Sequence, residues 1–193
     1  MKVLAKATTY STTIKKSKFL CFGYMVQTKD DVKNIINKLK KEYPDASHIC
    51  YAYILNEKTF YFTDGGEPSG TAGKPIYGAL QSFKLNYALL VVVRYFGGIK
   101  FGPGPLRSTF KNVAMQTLEL SQLKDCVLAD VIQINVPYDL AKKVTTIFNS
   151  SIINKQFKKE FVEIKLAGDK KIILSKLKIL NLKPQTIKEN QVV

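Results

Sequence analysis

The stretch ALLVVVRYFGGIKFGPGPLR, residues 88–107, opens on an uninterrupted apolar run, passes through a glycine-rich turn and closes on a proline-led segment. Ala88 to Tyr95 is apolar at odd and even positions alike, which predicts a central strand covered on both faces. Pro105 is favourable as a first helical residue. Leu106, Phe110, Val113, Thr117 and Leu120 follow it at spacings of three and four, which predicts a helix to about Gln122. A covered strand that crosses through a turn into a helix is the unit from which the rest of the fold is read.

A second turn-rich stretch, TDGGEPSGTAGKPI (residues 63–76), precedes it. Nine of the 11 glycines and four of the seven prolines lie between Gly65 and Pro105, so these two segments hold most of the special backbone geometry. The first is not a Walker A loop. Pro68 stands where the motif needs its first Gly, and Pro75 where it needs Ser or Thr after the Lys. Its Ser, Thr and Gly amides, Ser69 to Gly73, could still hold an anion at a helix start, or simply close a hairpin-to-helix connection. The second segment, from Gly102, comes close to GxGxxG, but Arg107 stands in place of the third Gly, which argues against a dinucleotide fingerprint. What it retains are Arg94, Lys100 and Arg107 with the aromatics Tyr95 and Phe96 at a helix N-terminus, a set suited to phosphate and base stacking.

Working outward, Val3 to Tyr10 and Phe19 to Val26 read as strands. Thr28, with Asp31 three positions on, reads as the cap of a helix whose apolar positions run from Val32 to Tyr43. Ile49 to Leu55 and Thr59 to Thr63 flank Asn56-Glu57-Lys58 as a hairpin, and Ile76, Leu80 and Phe83 make a short helix after Pro75. Beyond Cys126 the order is strand (Val127 to Val136), helix after Pro137, strands Ile152 to Phe157 and Phe161 to Leu166, a helix capped by Asp169, and a short strand near Thr186. That order predicts a ferredoxin-like, split-βαβ domain. The reading is α+β with two domains, 1–126 and 127–193.

Thirty Lys and Arg against 15 Asp and Glu leave a net charge of +15, divided as +9 over residues 1–126 and +6 over 127–193. Both parts favour an anionic partner, with nucleic acid the commonest. Arg94 and Arg107 are the two arginines among 28 lysines, and both lie in the second glycine segment. An arginine kept where lysine is otherwise the rule suggests a bidentate task, the grip of a phosphate or carboxylate. Three cysteines without CxxC spacing argue against a disulfide framework and against structural zinc. With no apolar stretch of bilayer length and no signal-peptide core, the expected address is the cytoplasm and no membrane. Catalytic constellations are sparse: His48 is the one histidine and reads as structural, and Asp64 and Glu67 are loop carboxylates.

EPSGTAGKPI (67–76) and YFGGIKFGPGPL (95–106), supported by IKKSKF (14–19) and HICYAY (48–53), resemble the IMPACT/YigZ family of translation-associated proteins. Three positions depart from the family pattern: Gly65 follows Asp64 where a second acid is usual, Pro105 replaces the second Gly of a Gly-Gly-Leu, and Arg107 comes one residue early. The resemblance implies an N-terminal α/β sandwich like the second domain of a small-subunit ribosomal protein, and a C-terminal domain like the ferredoxin-like domains of elongation factor G. The leading reading is therefore a non-catalytic protein, without cofactor or metal, that binds RNA or a ribosomal complex and possesses a regulatory role in translation. The alternatives are a protein partner, or an enzyme or small-ligand binder acting on a phosphorylated metabolite or nucleotide. The candidate ligand or anion site is Asp64, Glu67, Ser69, Gly70, Thr71, Gly73, Arg94, Tyr95, Phe96, Gly97, Gly98, Lys100, Gly102, Gly104 and Arg107, with Arg94 or Lys100 approaching Asp64 or Glu67 across a shared cleft.

Overall fold

The computed structural model describes the backbone of residues 1–193 and the side chains of all but residue 190. The chain divides into two compact units, Met1–Asp125 and Cys126–Val193. The fold is mixed α/β, with five α-helices and three sheets among the described residues.

The first unit contains β1 (Lys2–Leu4), β2 (Thr8–Ile14), β3 (Ser17–Met25), α1 (Lys29–Glu42), β4 (His48–Asn56), β5 (Thr59–Thr63), α2 (Gly73–Ser82), β6 (Ala88–Tyr95), α3 (Pro103–Glu119) and β7 (Leu123–Asp125). Five strands make an antiparallel sheet in the order β2-β3-β6-β4-β5, so β6 is the middle strand, and its residues 88–94 are all buried. Strand alternation divides that run between two layers. Ala88, Leu90 and Val92 join Phe19, Cys21 and Cys50 in one core with Ile76 and Leu80 of α2 and Phe110 and Val113 of α3. Leu89, Val91 and Val93 face the other way, where Phe22 meets Tyr43 at the end of α1 with ring centroids 5.6 Å apart. By the same alternation Arg94, one step past the apolar run, points to the α2/α3 side. A guanidinium is thereby carried to the end of the core, and the site follows from that.

Helix α1 begins as its sequence predicts. Thr28 Oγ1 accepts from the Asp31 N–H, and the Asp31 carboxylate accepts from the N–H groups of Gln27 and Thr28. Elsewhere the boundaries move. The single strand expected over Val3 to Tyr10 is two: β1 leaves the sheet and pairs antiparallel with β7, Val3 opposite Lys124. This distant pairing fixes Val3 and Leu4, both fully buried, and no local propensity shows it. Helices α2 and α3 each start two residues before the prolines expected to open them, and α3 ends at Glu119 rather than Gln122.

The second unit runs β8 (Leu128–Pro137), α4 (Tyr138–Ile147), a 3₁₀ turn (Asn149–Ser151), β9 (Ile152–Phe157), β10 (Phe161–Gly168), α5 (Lys170–Ile179) and β11 (Pro184–Val192), with antiparallel sheet order β11-β8-β10-β9. This is the split-βαβ arrangement. Ile132, Ile134 and Val136 of β8 pack with Val144 and Phe148, Ile164 and Leu166, and Ile173 and Leu177. Asp169 Oδ1 caps α5 by accepting from the Ile172 N–H at 3.1 Å. Strand β11 has nine residues, longer than the short strand expected near Thr186. It lies at the sheet edge, where a polar sequence is tolerated and the alternation signal is weak.

Candidate functional site

Antiparallel register places Phe19 of β3, Arg94 of β6 and His48 of β4 side by side in one row. The 63–76 loop folds back over this row and inserts Glu67. Arg94 Nη1 donates to both Glu67 carboxylate oxygens at 2.7 Å, and Nη2 donates to Ser17 Oγ at 3.3 Å. Glu67 Oε1 also accepts from His48 Nδ1 at 2.6 Å. Arg94 is 4% exposed and Glu67 6%, so each charge is compensated where water does not reach. The guanidinium lies 5.0 Å from the Phe101 ring and 5.4 Å from Phe19 and Phe96, a cage that favours a delocalised cation over an ammonium. An ionised carboxylate only accepts, so it is His48 Nδ1 that donates in this bond.

Asp64 has a different task. Its Oδ2 accepts from the Gly70 N–H at 2.8 Å, and its Oδ1 from the N–H groups of Ala72 and Gly73, both at 2.9 Å. The Thr71 N–H is taken by the Pro68 carbonyl at 3.1 Å. Of the loop amides expected to face the cleft and hold an external anion, those of Gly70, Ala72 and Gly73 are thus taken by the loop's own carboxylate and that of Thr71 by a loop carbonyl, which corrects the anion role given to Gly70, Thr71 and Gly73. Closeness of backbone explains the glycine at 73, where a Cβ would come 2.7 Å from the Thr63 backbone. Burial raises the Asp64 carboxyl, but the amide bonds from Gly70, Ala72 and Gly73 outweigh it and hold the group below its ordinary 3.8. A depressed folded pKa stabilises above the unfolded pKa and is lost as pH falls through the folded value. Asp64→Asn is expected to cost about 2 kcal/mol at neutral pH, the scale of hydrogen bonds to a charged acceptor. The difference in melting temperature from the unsubstituted protein is expected to shrink as pH drops through the carboxylate range. A difference independent of pH would show that the loop does not depend on the charge.

The start of α3 needs a similar correction. Pro103 and Pro105 have no N–H, and the Leu106 N–H is bonded to the Gly102 carbonyl at 3.1 Å, so of that first turn Gly104 alone retains an amide for a phosphate.

Two clefts flank the meeting point of the segments. One, of about 390 Å³, has His48, Glu67 and Arg94 in its floor, Phe96, Phe101 and Leu106 in its walls, and Lys100 in its lining. The other, of about 400 Å³, is lined by Gly70, Lys74, Pro75, Arg107 and Lys111, with Arg107 Nε donating to the Gly70 carbonyl at 3.3 Å. The candidate residues thus separate into groups. Glu67, Arg94, Phe96, Lys100 and Gly102 share the first cleft, while Gly70 and Arg107 line the second. Asp64, Thr71 and Gly73 are internal to the loop, with Ser69 exposed beside them. Tyr95 lies in the sheet opposite Lys18, and the Gly97 N–H bonds Ser17 Oγ at 3.0 Å. Gly98 and Gly104 are exposed, with no room constraint on a Cβ. The sequence presented His48 as structural and Ser17 only as part of the family-like stretch 14–19, neither as a site residue. The signal for His48 was its place at the start of a strand, four residues before the fully buried Ala52. Among the described residues no cluster of His, Cys, Asp and Glu is placed to hold a metal ion, and no helix is long and apolar enough to cross a membrane.

A model of the Impact N-terminal domain matches residues 15–118, which contain both segments and the ion-paired row. An IMPACT family member of Haemophilus influenzae is 39% identical over 118 residues, 59% of this chain and 57% of that protein. The IMPACT family member YvyE of Bacillus subtilis is 41% identical over 99 residues, 50% of this chain and 46% of its own. The chain spans about half the length of the curated relatives it matches. A crystal structure described as that of an hypothetical protein is similar to the whole chain, with TM-score 0.67, 26% identity and 98% of both chains covered.

Proposed function

We propose a function for this chain, which belongs to the IMPACT family: it is a cytoplasmic, non-catalytic, translation-associated protein that binds RNA or a ribosomal complex. In this reading residues 1–126 and 127–193 act as separate domains, with the ribosomal-protein-like and elongation-factor-like resemblances that the family implies. The observation that carries it is organised positive charge. Lys74, Arg107 and Lys111 line one cleft that has no carboxylate in its lining, on a chain of net charge +15. Such a surface gains affinity by releasing counterions from phosphates.

Filter binding to structured RNA over a potassium chloride series, with sedimentation alongside ribosomes, tests the reading. The logarithm of the binding constant is expected to fall linearly with that of salt. Arg107→Ala with Lys111→Ala is expected to reduce the slope by about 2, one for each lost phosphate contact. Absence of salt-sensitive binding near physiological ionic strength would reject it. A second reading is supported by the imidazole whose Nδ1 is held by Glu67 in the aromatic-walled cleft: a small-ligand binder or enzyme for a phosphorylated metabolite or nucleotide. Thermal-shift screening discriminates the two, since a ligand at 100 times its dissociation constant stabilises by about 2.7 kcal/mol. Arg94→Lys is expected to abolish that shift, because an ammonium cannot bond Glu67 and Ser17 in one plane.

A further inference from the structure

A third cleft, of about 360 Å³, lies on the α1 side of the sheet, away from the glycine segments. Its lining joins Lys29, Lys33 and Lys40 of α1 to Tyr51, Tyr53 and Tyr61 of the β4–β5 hairpin. At about 100° per residue the three lysines fall within about 40° of arc, a single stripe about 16 Å long. Asp30, Asp31 and Glu42 of the same helix project at least 60° outside it by the same count. No carboxylate lines the cleft, and all three lysines are exposed. Beside the stripe the tyrosines form a ladder, with the Tyr61 ring 5.9 Å from Tyr51 and 6.1 Å from Tyr53. Tyr61 is 48% exposed on β5, an edge strand, so one face of its ring is open to a stacking partner.

We propose that this groove is a binding track for single-stranded RNA, in which the lysine stripe follows the phosphates and Tyr61 stacks a base. Cations without carboxylates select a polyanion, and the aromatic ladder beside them selects one whose bases are unpaired. A duplex hides its base faces and would use the lysines alone. The track deepens the RNA-binding function proposed above and rests on it, while locating a contact surface outside the glycine segments.

Fluorescence anisotropy with a labelled oligouridylate, over a potassium chloride series, tests it on the full chain. Lys29→Glu with Lys33→Glu is compared with Lys38→Glu with Lys41→Glu, which makes the same change in charge off the stripe. The first pair is expected to weaken binding about tenfold or more and to lower the salt slope by about 1.4, the single-strand value for two phosphates. The second pair is expected to leave the slope unchanged. Tyr61→Ala is expected to weaken oligouridylate binding about tenfold, within the range for one stacked base, and duplex binding not at all. All five side chains are exposed, so circular dichroism is expected to show the folded protein in each case. Equal effects of the two lysine pairs, or Tyr61→Ala acting alike on single strand and duplex, would overturn the track while the general RNA reading stands. RNA affinity untouched by every variant would also overturn it, leaving the groove to a protein partner. Failure of the unsubstituted chain to bind any RNA would overturn both.

Discussion

Glu67→Gln is expected to destabilise the N-terminal unit by about 3–5 kcal/mol, the range for removing one partner of a buried ion pair. The substitution keeps the volume and removes the charge. Arg94 is then left in an aromatic cage, 4% exposed, its charge uncompensated and its hydrogen bonds reduced to neutral acceptors, the introduced amide oxygen and Ser17 Oγ. The loss falls on the stranded cation and not on the pair as such, and this can be separated experimentally. Glu67→Leu combined with Arg94→Met replaces the pair with apolar groups and is expected to recover most of the stability, since buried pairs and well-packed apolar substitutes are often close in energy. It is not expected to recover ligand binding in the cleft, whose floor would lose its guanidinium and the carboxylate that orients His48. Chemical denaturation of the three proteins checks this. A loss below about 1 kcal/mol for Glu67→Gln would mean that the pair is solvated and contributes as little as a surface bridge.

That pair also marks how far the sequence could be read. The apolar run through Val93 predicted a covered central strand, and β6 is the middle strand of its sheet. Alternation then fixed the side of the sheet on which Arg94 points. The capping pattern of Thr28 and Asp31 is local, and local patterns survive into the structure. The two glycine segments were legible as a unit, and they led to the family that the Impact N-terminal domain match shows. What was not legible depends on register. His48 became part of the site because β4 pairs with β6 so that it faces Arg94, and no spacing within one strand shows that. Asp64 could not be told from Glu67 by sequence, since both are acids on one loop. One turns inward to its own amides and the other reaches the guanidinium, and the separation depends on backbone angles at Gly65 and Gly66, both with positive φ. The β1–β7 pairing joins the two ends of the first unit, a closure that propensity does not record.

Gly97→Ala is expected to cost about 3 kcal/mol, the upper range for forcing an atom into a packed site, and Gly104→Ala almost nothing. The two glycines belong to one segment and look equivalent in the sequence, but their surroundings differ. A Cβ at Gly97 would fall inside the backbone of Lys16 and Ser17, which cannot yield as a flexible side chain would. That backbone is already constrained, because Lys15 and Lys16 form the two-residue turn between β2 and β3 with φ of 45° and 63°, a conformation that favours glycine or asparagine. Ser17 Oγ accepts from both the Gly97 N–H and Arg94 Nη2, so moving the turn away from Gly97 pulls on the guanidinium as well. A Cβ at Gly104 meets nothing within 4 Å, and its φ is not positive, so alanine in the first turn of α3 keeps the helix and removes only freedom of the unfolded chain. Thermal melts of the two variants decide the matter. If Gly97→Ala melts with the unsubstituted protein, the close approach of the 95–98 turn to the β2–β3 hairpin is wrong, and with it the route by which Ser17 steadies Arg94 in the cleft floor.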